Sequence, residues 1–166
     1  MINISRWIIG GRPGVTLLRA LILACVCLIV FRYALRPARI VGDSMAPTFQ
    51  DGEFLFINCL AYREDDPRRG DVIGIMTTGQ SVIYLKRVIA VSGDHLEIRN
   101  GIIYLNGIEL LETYVKQRAN WQYDPIILGK DEYFVIGDNR KMNSEDHHFG
   151  KVKRDKILGK FLGRRR

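Results

Sequence analysis

Residues 81–91 read SVIYLKRVIAV. In an extended chain, alternate side chains face opposite ways. One set is Val82, Tyr84, Lys86, Val88 and Ala90; the other is Ile83, Leu85, Arg87, Ile89 and Val91. Both sets are apolar except for Lys86 and Arg87, and a strand apolar on both sides is normally buried on both. Two readings of the lysine compete. On an edge strand it would discourage aggregation. On an interior strand it would be a desolvated amine, its pKa pushed from ~10.4 toward neutrality. Burial of that order costs about 4 kcal/mol, which makes sense if the neutral amine serves as a base.

Working outward, short apolar runs alternate with turn signals, the pattern of a mainly β chain. EFLFI (53–57), DVIGIM (71–76) and EYFVI (132–136) are predicted strands, the last closing the series. AYREDDPRRG (61–70) is a charged loop. IRNGIIYL (98–105) sets Asn100-Gly101 between apolar flanks, a hairpin signal, and Asn106-Gly107 marks a second turn. Between Asp94 and Glu132 there is room for that hairpin and a loop through TYVKQRANWQYDP, so a minimal core is expected.

Charge divides the 166 residues into three. Residues 1–42 hold six Arg and no acid; 43–150 hold 11 basic and 17 acidic residues; 151–166 hold eight basic and one acidic. The middle is thus net acidic, whereas a nucleic-acid binder usually carries its basic stripe on the fold. Basic flanks on an apolar segment suggest anionic lipid. VTLLRALILACVCLIVFRYAL (15–35) reaches the ~20 residues that cross a bilayer, with Arg19 and Arg32 placed to snorkel. FRYALRPARI offers no small-x-small site for signal-peptide cleavage. Arginines on both sides leave the orientation open. KVKRDKILGKFLGRRR (151–166) is read as a solvated tail or lipid contact. Cys25, Cys27 and Cys59 are an odd set, read as small hydrophobes. The expected division is an N-terminal segment, 1–39, ahead of a β domain, 40–166, with a small insertion at about 95–131.

VGDSMAPTFQDG (41–52) places Ser44 in a Gly- and Pro-punctuated turn. A capped turn accounts for such a serine. A nucleophile is the other reading, and a serine then needs a base. His95, His147 and His148 form no evident triad. The serine-lysine variant needs an exposed serine and a buried neutral lysine, and Ser44 and Lys86 offer both.

GDSMAPTF, RRGDVIGI, YLKRVIAVSGD and FVIGDNRKMNSEDHHFG, in this order behind an apolar segment, resemble the boxes of type I signal peptidases. The resemblance implies a signal-peptidase/repressor-protease-like β-barrel core with one transmembrane helix, and a membrane-bound serine endopeptidase that cleaves signal peptides from exported preproteins. It makes Ser44 the nucleophile and Lys86 the general base. Gly42, Asp43 and Met45 belong to the oxyanion loop, with the Ser44 N–H as one donor. Where some relatives have a serine as second donor, this chain has Gly42. Arg87 and Asp138 match an ion pair bracing the lysine strand. The last box departs from the family: aligning Ser144 and Asp146 with the family's Ser and Asp needs a shift, ungapped alignment puts Asn143 and Glu145 there, and the family Arg becomes His147 or His148. The family serine hydrogen-bonds the lysine amine. Small residues before the cut are implied, as is a monomer in the cytoplasmic membrane, single-pass, its catalytic domain extracytoplasmic. Preprotein signal peptides and the bilayer are the expected partners, with no nucleic acid, metal or cofactor. Phe54, Phe56 or Trp121 would touch lipid. A self-cleaving repressor-type protease shares the Gly-Asp-Ser-Met loop, but here a membrane span replaces its DNA-binding domain. A specialised pilin-processing peptidase and a non-catalytic membrane-tethered β-module are the alternatives.

Overall fold

The computed structural model describes residues 12–76, 83–147 and 150–163. Residues 1–11, Ser81 and Val82 of the long predicted strand, His148 and residues 164–166 lie outside the described residues, as does the side chain of Asp146. A helix, α1 (Pro13–Tyr33), comes first among the described residues. Pro13 opens it, where no backbone N–H is needed. None of its residues is buried, and its 21 residues, with an 18-residue stretch at a mean hydropathy of 2.6, are long and apolar enough to cross a membrane.

The strands are β1 (Leu35–Arg39), β2 (Phe54–Asn58), β3 (Val72–Met76), β4 (Ile83–Ala90), β5 (His95–Arg99), β6 (Ile102–Leu105), β7 (Ile108–Glu109), β8 (Tyr123–Ile127), β9 (Glu132–Ile136), β10 (Gly150–Lys153) and β11 (Ile157–Leu162). They form two antiparallel sheets: β1-β2-β11-β3-β4-β9-β10 and β7-β6-β5-β8. The mainly β core with one N-terminal helix is as expected. The closed barrel is not: β1 and β10 remain the unpaired edges of the large sheet. Pro37 within β1 suits an edge, because proline has no N–H to offer a further neighbour. The sheet begins at Leu35, ahead of residue 40, because α1 runs directly into β1.

The hairpin falls where Asn100-Gly101 predicts it, both residues at positive φ (50° and 75°). A side chain at Gly101 would strike the Ala119 carbonyl. β5 to β8 fill the stretch read as an insertion. Leu96, Ile98, Ile103 and Trp121 from this region pack with Ile89, Phe134 and Ile136 of the large sheet.

Three further expectations are corrected. The series of strands does not end at Ile136, and the basic end is not simply a tail. β11 lies between β2 and β3, with Ile157 buried, and β10 pairs with β9. Its lysines disguise an extended segment: Lys160 reaches Asp71 at 2.7 Å and Lys151 reaches Glu132 at 2.9 Å. Trp121 is also not a lipid contact. It is 4% exposed, because its indole is enclosed by the β5–β8 sheet and the segment after β9; Phe54 and Phe56 are exposed.

Candidate active site

β4 lies between β3 and β9, so the edge-strand reading of Lys86 fails. Lys86 is 2% exposed. Burial is the main cause that lowers its pKa to about 8, partly offset by the nearby Asp138 carboxylate. An interior strand with apolar neighbours on both faces thus yields an amine that is readily neutral.

Arg87, next in β4, is bound to Asp138 by two guanidinium bonds, Nε at 2.7 Å and Nη2 at 2.5 Å, and its Nη1 donates to the Gly70 carbonyl at 2.9 Å. The Asp138 bonds raise its pKa against its own burial. The predicted Arg87–Asp138 pair is therefore present, both residues buried. Thr48 donates to the same carboxylate at 2.6 Å, which ties the serine loop to the pair.

The serine loop is fastened at three further points. Asn139 N–H donates to the Ser44 carbonyl at 3.0 Å, and Asn139 Nδ2 to the Asp43 carbonyl at 3.0 Å. Met45 is 1% exposed and anchors the loop in a core with Ile40, Phe49, Leu55 and Leu85. Gly137 has no Cβ to keep the loop away: one built there would clash with the Ser44 carbonyl. Gly137 directly follows Ile136, the register partner of Arg87. The Ser44 backbone is thus brought down on the β4–β9 seam, at Gly137. Among the described residues no hydrogen bond joins Ser44 to Lys86.

Ser44 is half-buried and lines a cleft of about 490 Å³. Residues 37–41 form one wall and Ile83, Tyr84 and Leu85 another, with Leu55 and Ile57 also lining it. Gly42, at φ 87°, commits its N–H to Asp51 Oδ1 at 2.8 Å. Among the described residues the Ser44 N–H donates no hydrogen bond.

The altered last box is arranged differently from expectation. Ser144–Asp146 is a short 3-10 turn, and Ser144 is exposed, as are Asn143 and Glu145. Asn143, Ser144 and Glu145 thus face solvent, whereas Lys86 is buried. His147 goes inside instead, at 0% exposure. Three contributors had no signal in the sequence. Glu112, in the loop after β7, holds Arg140 in a buried ion pair. Tyr114 donates to Glu112 at 2.8 Å and lies 4.1 Å from the Arg87 guanidinium, face on. Trp121 donates to the Met142 carbonyl at 2.9 Å. Among the described residues no cluster of His, Cys, Asp and Glu could hold a metal.

A cleft-lining serine, a buried lysine and an apolar helix ahead of a β scaffold are the parts that a membrane-anchored serine-lysine hydrolase requires. Comparison with known proteins narrows it. Residues 14–164 match the family model described as signal peptidase, peptidase S26. A probable signal peptidase I-2 of Synechocystis is 34% identical over 154 residues, covering 89% of this chain and 69% of that protein. Signal peptidase IB of Staphylococcus aureus is 31% identical over 153 residues, 81% of this chain and 80% of that one. A solved signal peptidase I from Enterococcus faecalis is 27% identical, with a TM-score of 0.47, covering 58% of this chain and 97% of that one. The chain belongs to the signal peptidase family, peptidase S26, and is a serine peptidase that removes signal peptides from preproteins.

Proposed function

We propose that Ser44 is the nucleophile and Lys86 the general base of this signal peptidase. The observation that carries the assignment is a lysine 2% exposed on an interior strand, its amine brought to about 8 by burial. Ser44 Oγ attacks the scissile carbonyl and passes its proton to Lys86 Nζ. The ammonium then protonates the departing amine as the bond breaks, leaving an acyl-serine. Water attacks that ester, again giving its proton to Lys86, and Ser44 is restored. The developing oxyanion is met by the Ser44 N–H. That no hydrogen bond joins Ser44 to Lys86 among the described residues is in keeping with catalytic hydrogen bonds that tighten only in the complex.

The substrate lies extended in the cleft between residues 37–41 and Ile83–Leu85, its backbone giving affinity and small side chains fitting the apolar floor. Met45, Asp43 and Gly42 shape the loop, and Arg87 and Asp138 brace it. The catalytic domain, residues 35–163, works monomerically on the extracytoplasmic side of the cytoplasmic membrane, with α1 as the single span in the bilayer. The test is processing of a preprotein by the full chain and by Ser44→Ala and Lys86→Ala. Each substitution is expected to reduce cleavage roughly a thousandfold or more. Equal processing by all three proteins would overturn the assignment.

A further inference from the structure

His147 is a histidine with 0% exposure, carried by the segment that follows the 3-10 turn. Its ring meets Trp121 edge to face, centroids 4.8 Å apart. A second neighbour is Gly137: a Cβ there would come within 2.6 Å of His147 Cε1 and 2.9 Å of Nε2. The same missing Cβ admits the Ser44 carbonyl. One glycine therefore has the serine backbone and an imidazole packed against it. The cations acting on the ring are Lys86 of β4 and Arg140 of the segment after β9. Burial first, and then these two charges, hold the imidazole neutral down to about pH 4, against the favourable effect of the His147 and Asn139 backbones.

A neutral imidazole keeps one N–H donor and one acceptor nitrogen. A lysine amine ends a stem of four methylenes and is poorly aimed unless something polar fixes it. An uncharged polar ring does this without opposing the ammonium that forms during catalysis. A second cation in that place would oppose it.

We propose that His147 is a positioning residue for Lys86, its buried imidazole fixed by Trp121 and Gly137 so as to set where the amine points relative to Ser44. The inference rests on Ser44 and Lys86 being the reacting pair, and it gives the altered last box a function in this chain. His147 neither takes the Ser44 proton nor touches the substrate.

The test compares the full chain in detergent with His147→Phe, which fills the space without a nitrogen, and His147→Gln, which restores a donor and an acceptor. For His147→Phe, kcat is expected to fall about tenfold or more, KM to stay within about twofold, and the acid limb of the pH–rate profile to move. His147→Gln is expected to recover most of kcat and return the limb toward wild type. Losses in kcat that merely follow losses in Tm in both variants, with an unmoved limb, would overturn the proposal, as would wild-type kinetics in both. A readout independent of these variants is the imidazole nitrogen chemical shifts at neutral pH in wild type and in Lys86→Met. They are expected to differ, and identical shifts overturn the proposal. The Ser44→Ala control separates the two levels. If it still processes preprotein, the reacting pair is wrong; if it is inactive while His147→Phe matches wild type, the positioning inference alone fails.

Discussion

Lys86 sets two pH dependences, one of activity and one of stability, in adjoining pH ranges. As the base it must be neutral, so kcat/KM is expected to rise with pH up to about 8 and then level, with a pH–rate profile as the check. For stability the sign is the same but the window is higher. The folded pKa lies below the unfolded value of 10.5, so below about 8 the buried ammonium costs the native state its full penalty, about 3 kcal/mol. Between about 8 and 10.5 the unfolded chain holds more protons, and stability rises with pH. Lys86→Met is therefore expected to be inactive yet more stable by up to about that amount at neutral pH, the gain shrinking toward pH 10.5. Denaturant unfolding of both proteins across this range measures it. The lysine was legible because its whole argument is local: a strand apolar on both sides forces whatever it carries indoors. Ser44 and Asp138 were recognised in the same way, as short contiguous boxes. His147 was not, since a histidine in a polar run carries no mark of the tryptophan that encloses it.

At the level of the elements, the segment after β9 acts as a clasp. Asn139, Asp138 and Gly137 fasten the serine loop, and Arg140 fastens the segment to the loop carrying Glu112. Gly137→Ala should displace Ser44 and His147 together. We expect cleavage to fall at least a hundredfold, with a smaller loss of stability, read by kinetics alongside thermal melting. Glu112→Ala should leave the Arg140 charge buried without its partner and cost about 3–5 kcal/mol, measured by urea unfolding. Sequence reading could not have found Glu112, because a lone acid in a loop has no periodic or spacing signal and its partner is 28 residues away. β1, β8, β10 and β11 escaped for a related reason. Their apolar positions are interleaved with proline, acids or lysines, and only pairing with distant strands makes them sheet.

For the whole molecule, the division of labour between α1 and the sheets is testable. A chain lacking residues 1–34 keeps every strand. It is expected to cleave a soluble signal-peptide substrate within about tenfold of the full chain but to process membrane-embedded preprotein much less well, since tethering raises local concentration. Parallel assays in detergent and in proteoliposomes would show it. The position of β11 has a consequence for how such a molecule is made. Phe161 pairs with Ile57 on one side, and Lys160 with Ile73 on the other. The edges of β2 and β3 that face each other cannot settle until a ribbon about a hundred residues further along slides between them. Such distant pairings are slow to form, so the emerging polypeptide stays without protease activity until Ile157–Leu162 has left the ribosome and paired.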